Sequence, residues 1–320
     1  MKISVLAIDG VFDTGLATVL DAFAIANELA AMTGLDSPRF DVVVSGVRRK
    51  VRTAQGLSVP VKATSDQRAP DWVLVPAIGC KMPAPLEHAL KRRDVREALA
   101  VLRTWSDAGS ALAAACVGTF VLAEAGLLDG EEATTTWWLA PMFRQRYPDV
   151  RLDESRMVVR SGSVVTAGAA LSHVDLALAL IRQASPELAT LVAKYLVIDA
   201  RPSQSAYAIS DHLMHADPLV ERFERWARGR LARGFSLDGA AESLATSKRT
   251  LARRMKDTLG KSPLSYFQDL RVERAVHLLN TTSHSIERIA AMVGYADGVT
   301  LRTLLRRRLG RGVRELRSAR

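Results

Sequence analysis

The stretch Ala111-Leu112-Ala113-Ala114-Ala115-Cys116-Val117-Gly118-Thr119-Phe120 runs from five small or apolar residues into a cysteine and then a glycine-led helical start. So short and so apolar a run reads as a strand buried on both faces. Its direct turn into a helix has the geometry of a nucleophile elbow. Outward from it, residues 3–8, 40–45, 72–76 and 163–167 have the same character. Helical patterns over 15–33, 86–107, 118–125 and 171–184 fall between them, and this alternation predicts an α/β fold, a mostly parallel sheet with helices on both faces. A further helix over 187–198 leads into residues 199–217, whose prolines and serines predict a connector with a domain boundary near residue 210.

The whole chain has 320 residues, enough for two domains, and its 48% hydrophobic and 24% charged residues exclude a mainly disordered polymer. The apolar run 111–123 is broken by Gly118 and Thr119 and closed by Glu124, well short of the roughly 18 residues of a membrane helix. No membrane partner is expected. Asp9 interrupts the apolar start before it reaches the length of a secretory signal, so a cytoplasmic protein is expected. With only Cys80 and Cys116, a disulfide framework or four-thiolate metal site is excluded. His173, near Asp175, has no second ligand at metal spacing, so neither metal nor cofactor is expected.

Charge divides the chain. Residues 1–217 hold 22 basic and 24 acidic side chains, whereas residues 218–320 hold 22 and 10, a net +12, with 19 Arg to 3 Lys. A region this basic attracts polyanions, and arginine favours forked contacts to phosphates and guanine edges. A merely solvated basic surface is the alternative. Strand signals vanish past Pro218, which predicts an all-α unit.

Within it, Leu237-Asp238-Gly239-Ala240-Ala241-Glu242-Ser243-Leu244-Ala245 has helical spacing. Thr246 follows, and Ser247 is then an N-cap for Lys248-Arg249-Thr250-Leu251-Ala252-Arg253-Arg254-Met255-Lys256. Leu251 and Met255 face a core, leaving Lys248, Arg249, Ala252, Arg253 and Lys256 outward, a basic and small-residue face suited to the major groove. About fifty residues later the pattern recurs. Ile286, Ile289 and Val293 mark a helix, Gly294-Tyr295 a turn, and residues 300–309 a second basic helix, while residues 263–279 read as the helix linking the two units. The duplication predicts a double helix-turn-helix module that binds duplex DNA.

On these stretches the chain resembles the AraC/XylS transcription regulators from Phe235 to Arg317. The likeness is carried by Thr250-Leu251-Ala252-Arg253-Arg254-Met255, Leu259-Gly260-Lys261-Ser262-Pro263, Leu270-Arg271-Val272-Glu273-Arg274-Ala275 and Ile289-Ala290-Ala291-Met292-Val293-Gly294-Tyr295. The resemblance implies recognition helices in successive major grooves. It makes Arg249, Ala252 and Arg253 base readers in the first unit, with Val299, Arg302 and Thr303 on the matching face of the second. Thr300 opens that second helix, and Arg306, Arg307 and Arg308 are expected on phosphates. Leu301 and Leu305 stand where the family has aromatic core residues, and Gly312-Val313 replaces its Ser-Pro, which is expected to free the C-terminal segment.

Residues 1 to about 200 are similar to the DJ-1/PfpI, glutamine-amidotransferase-like fold, a flavodoxin-like sheet. The likeness rests on the Cys116 elbow, Leu122-Ala123-Glu124-Ala125-Gly126-Leu127-Leu128-Asp129-Gly130, Ala133-Thr134-Thr135-Thr136-Trp137, Ala167-Gly168 and Val174-Asp175-Leu176-Ala177-Leu178. Fused to the basic module, the chain looks like the GlxA-like branch of the AraC regulators. This implies a sensor and dimerisation domain over 1–198, a linker over 199–217, a DNA-binding domain over 218–320, a homodimer, and an effector that is an amino-containing metabolite. It also implies a cytoplasmic, nucleoid-associated protein. Thr136 stands where many relatives have His before Trp, and Ala77-Ile78 replaces a glycine pair, departures that point away from hydrolase activity.

In an open α/β sheet ligands settle beyond the carboxyl ends of the strands, which selects Asp13, Ala77, Cys80, Cys116, Val117, Thr136 and Trp137 as the candidate pocket. Trp137 and Trp138 can enclose a cationic group and Asp13 can offset its charge; ordinary packing is the alternative for the tryptophans. For Cys116, a helix N-terminus that lowers its thiol pKa would suit a thiol amidase or, with Cys80, a redox sensor. A small buried residue without a base is the other reading.

Overall fold

A computed structural model describes residues 1–199, 201, 203–204, 217–309 and 312–317. The chain divides into two compact units, Met1–Gln204 and Ser205–Arg320. Most of the expected connector lies outside the described residues.

The first unit runs β1 (Lys2–Leu6), α1 (Asp13–Thr33), β2 (Asp41–Gly46), β3 (Lys50–Arg52), β4 (Ser58–Pro60), β5 (Lys62–Ala63), β6 (Trp72–Val75), α2 (Pro83–Leu90) and α3 (Arg93–Asp107). It continues with β7 (Ala111–Ala115), α4 (Gly118–Glu124), β8 (Glu132–Ala133), α5 (Ala140–Arg146), β9 (Arg151–Leu152), β10 (Val158–Ser161), β11 (Val164–Ala167), α6 (Ser172–Ala184) and α7 (Pro186–Tyr195). Seven strands form one sheet in the order β10-β11-β7-β6-β1-β2-β5. Every pairing in it is parallel except β10 with β11.

The apolar runs follow from this layering, because alternate residues of each central strand enter opposite cores. Val73, Val75, Leu112 and Ala114 pack with α2 to α5, while Leu74, Ala113 and Ala115 pack with α1, α6 and α7. All five expected strands are present within a residue or two of their expected limits. The single helix expected over 86–107 is two. Its apolar stripe steps by five between Leu90 and Val95, and Arg92 between them is extended. Helix α1 is long and apolar enough to cross a membrane by length and composition alone. Val19, Ala22, Phe23 and Ala26 instead fill the core beneath the sheet.

Among the described residues the second unit is helical: α8 (Pro218–Arg228), α9 (Leu237–Ser243), α10 (Lys248–Leu259), α11 (Pro263–Thr281), α12 (Ile286–Met292), α13 (Gly298–Leu309) and α14 (Val313–Arg317). Side chains of Asp217, Ser236, Ser247, Ser262 and Ser285 accept hydrogen bonds from amides in the first turns of α8 to α12, and Asp297 does so for Thr300 in α13. Such caps are worth about 1 kcal/mol each. Helix α11 serves two cores, giving Phe267 and Leu270 to that of the first helix-turn-helix and Ala275 and Leu279 to that of the second.

Arg271 ties the halves of this unit together. Its Nε and Nη2 donate to the carbonyl of Leu231 at 3.0 and 2.8 Å. Its guanidinium lies over the Phe267 ring at 4.9 Å and over the Tyr295 ring at 5.0 Å. Gly294, at φ +82°, leaves it room: a Cβ there would stand 2.3 Å from Arg271 Nη2. Leu301 and Leu305 fill the core in place of aromatics, as expected. The C-terminal segment differs from expectation. Without the proline it still forms α14, whose Leu316 is buried in the second core and whose Arg317 donates to the carbonyl of His284.

Candidate effector crevice and nucleic-acid interface

The loops beyond β1, β6, β7 and β11 are laced together. Phe12 N–H donates to the Ala77 carbonyl at 2.8 Å and Gly79 N–H to that of Gly10 at 2.7 Å. Asp13, in the first turn of α1, accepts from the Gln55 amide through Oδ2 at 3.1 Å, while its buried Oδ1 has no partner. The hydroxyls of Thr119 and Ser172 are likewise buried and unpartnered.

Cys116 sits on the elbow at φ +56°. Its N–H donates to the Ala167 carbonyl at 2.9 Å and its carbonyl accepts from Thr135 Oγ1 at 2.7 Å. Gly118 makes the turn possible, since a Cβ there would stand 2.2 Å from the Val75 carbonyl oxygen. The expected acidification of the thiol does not occur. Burial pushes its pKa up to about 12, against the smaller opposing pulls of the Val117 amide and the Thr136 hydroxyl. A seven-residue helix cannot offset the loss of water around the sulfur. Burial also raises Cys80, with Arg92 opposing, so neither thiol is a ready nucleophile or redox thiolate at neutral pH.

His173 cannot serve as the base. Its Nε2 accepts from the Ala77 amide at 3.1 Å and its Nδ1 lies 2.5 Å from the Ala170 carbonyl, so both ring nitrogens are committed. Burial lowers its pKa from 6.5 to about 4. The unfolded chain therefore takes up this proton first, and stability is lost as pH falls from about 6.5 towards 4. Acidification from pH 7 to pH 5 should cost the α/β unit roughly 2 kcal/mol through this residue. Urea unfolding at the two pH values, compared with a His173→Gln chain that lacks the slope, checks this.

The two tryptophans meet edge to face at 5.3 Å. Trp137 is buried, while Trp138 is half-buried and donates from Nε1 to the Lys81 carbonyl at 3.0 Å, joining this wall to the loop of Cys80. Sequence reasoning missed Gln204, which lay inside the expected linker. Its side chain is 1% exposed. It accepts from the Ala169 amide at 3.0 Å and donates to the Thr135 carbonyl at 2.8 Å, one residue from Thr136. Arg201 pairs with Asp175, and Ser203 Oγ donates to the Ser155 carbonyl at 2.7 Å. No group of three or more metal-ligating side chains occurs among the described residues.

In the second unit α10 presents Lys248, Arg249, Arg253 and Lys256 exposed, with Ala252 half-buried between them. Lys248 pairs with Asp238 at 2.7 Å and Lys256 donates to the Gly260 carbonyl at 3.1 Å. Arg249 and Arg253 have no hydrogen-bond or ion-pair partner among the described residues. Arg254 instead holds α10 to the cap of α8 through Asp217 at 2.5 Å. On α13, Val299, Thr300, Arg302, Thr303 and Arg306 are exposed. Thr300 bonds to Asp297, Arg302 pairs with Glu287 at 2.9 Å, and Thr303 Oγ1 donates to the Val299 carbonyl at 3.1 Å. Arg308 departs from its expected place on phosphates. It turns inward to Asp269 at 3.1 Å and to Gln268 at 3.3 Å.

An α/β unit whose elbow thiol is buried, and whose nearby His173 has both ring nitrogens committed, stands on one chain with a capped and basic double helix-turn-helix. Residues 1–183 match the DJ-1/PfpI family and residues 240–319 a helix-turn-helix domain. The chain belongs to the DJ-1/PfpI family. It is 26% identical over 300 residues to the HTH-type transcriptional regulator GbdR of Pseudomonas aeruginosa, covering 92% of this chain and 78% of that protein. It is 28% identical over 223 residues to the HTH-type transcriptional regulator ArgR of the same organism, covering 68% of each. Among solved structures, an AraC family transcriptional regulator from Pseudomonas putida superposes with a TM-score of 0.51 at 19% identity, over 61% of this chain and 98% of that one. A regulator protein from Vibrio parahaemolyticus gives 0.53 at 22%, with the same coverage. These two establish the fold of the first unit.

Proposed function

We propose that the chain binds duplex DNA sequence-specifically through α10 and α13, and that the crevice of its α/β unit takes a small-molecule effector. The observation that carries the first part is the pair of guanidiniums, Arg249 and Arg253, with no partner among the described residues, on a capped helix whose opposite face is locked into a core by Leu251 and Met255. Arginine forks onto guanine O6 and N7, and Ala252 between them lets the helix approach the base edges. The base-reading set is Lys248, Arg249, Ala252, Arg253 and Lys256, with Val299, Thr300, Arg302, Thr303 and Arg306 in the second unit.

In a duplex enriched by the full chain from a randomised pool, Arg253→Ala should weaken binding by about 1–3 kcal/mol. Binding to unselected DNA should change far less, as gel shifts at fixed salt would read. Equal losses on both would mean phosphate contact alone.

For the crevice, the unpartnered Asp13 oxygen and the tryptophan pair favour an amino-containing metabolite. A thermal-shift screen of small amines and amino acids tests this, with Asp13→Asn expected to abolish the stabilisation given by any hit. The α/β unit is then the sensor and dimerisation module of a cytoplasmic, nucleoid-associated homodimer. The effector shifts the population of states that present the DNA-binding helices.

A further inference from the structure

The two recognition helices carry different chemistry. Helix α10 offers two guanidiniums with no partner among the described residues. Helix α13 offers an aliphatic side chain at its second position. Val299 is 66% exposed and belongs to neither core of its unit. The residue before it, Gly298, is buried and has no side chain to cover it; a Cβ there would come within 2.9 Å of Glu287 Oε1. One turn on, Thr303 spends its hydroxyl proton on the Val299 carbonyl, and Thr300 is taken up by its cap. The nearest side-chain donor to Val299 after these is Arg302, which Glu287 holds at 2.9 Å from the neighbouring helix. Arg306 and Arg307 flank the same helix, exposed and positive.

The first residues of a recognition helix are those that meet base edges, and an aliphatic group there complements the C5-methyl of thymine. We propose that Val299 reads a thymine methyl in the half of the target bound by α13, and that Glu287 is a positioning residue that sets Arg302 against the adjoining base pair. The target is then chemically asymmetric, with guanine edges under α10 and a thymine methyl under α13. This rests on the reading of the chain as a sequence-specific DNA binder.

The test uses the full chain and duplexes that it enriches from a randomised pool, with each thymine replaced in turn by uracil, which removes only the methyl. One position should weaken wild-type binding about fourfold, the worth of burying one methyl-sized group. The Val299→Ser chain should be indifferent to uracil at that position, while Arg253→Ala should keep the full sensitivity. Glu287→Gln should relax the base preference beside that thymine without changing affinity for unselected DNA. A merely structural role would instead weaken both. If enrichment succeeds and depends on Arg253, but no uracil distinguishes wild type from Val299→Ser, the assignment of Val299 falls and the DNA-binding reading stands. If no duplex is enriched, both fall together.

Discussion

Replacing Gly118 by alanine should lower the melting temperature of the α/β unit by about 10 °C. The new carbon would lie 2.2 Å from the Val75 carbonyl oxygen and 3.0 Å from that of Pro76, both main-chain atoms of a central strand and its exit. Neither can rotate away as a flexible side chain would, so α4 or β6 must shift. Overpacking typically costs about 1–3 kcal/mol and occasionally more, and main-chain neighbours that cannot rotate away put this site at the upper end. In a unit of this size each kcal/mol moves the midpoint by roughly 2–4 °C. Thermal unfolding of the full chain checks this, with Gly239→Ala as a control, since a Cβ there meets nothing nearer than 3.5 Å. Equal melting of Gly118→Ala and wild type would show that the elbow is looser than these distances require.

Arg271→Ala should destabilise the helix-turn-helix unit by about 3–5 kcal/mol. The loss combines an orphaned carbonyl at Leu231, worth about 1–3 kcal/mol, with two ring contacts of roughly 0.5–2 kcal/mol each. Lysine should restore only part, because an ammonium can reach the carbonyl but cannot stack its plane on Phe267 and Tyr295 as a guanidinium does. Since Tyr295 belongs to the turn of the second helix-turn-helix and Leu231 precedes the first, DNA affinity should fall along with stability. Denaturant unfolding and gel shifts of the same three chains read both. An alanine variant that unfolds with the wild-type midpoint would remove Arg271 from this role.

Much of the architecture was legible because the central strands are buried on both faces, which leaves short apolar runs that little else produces. Strands of two or three residues such as β3, β5 and β9 leave no such trace, since their pairing partners decide them. The helix caps were readable at Ser247, where a hydroxyl precedes a periodic segment. At the crevice the residues could be named but their state could not. The helix start after Cys116 suggests an acidic thiol, yet the surrounding core outweighs it, and that core is assembled from remote segments. The partners of Arg302 and Arg308 were hidden for the same reason: Glu287 is 15 residues away and Gln268 is 40. Long side chains choose among distant neighbours, and spacing along one helix does not register them.

The buried amide of Gln204 bears on how the chain can be cut for study. A fragment excised at Ile198 would keep every strand of the sheet but lose the side chain that fills the space over Gly168 and the donor that the Thr135 carbonyl expects. The main chain beside Thr136 would lose a packed side chain, and measurements on such a fragment would describe an altered unit. Boundaries for crystallisation or calorimetry therefore belong downstream of Gln204.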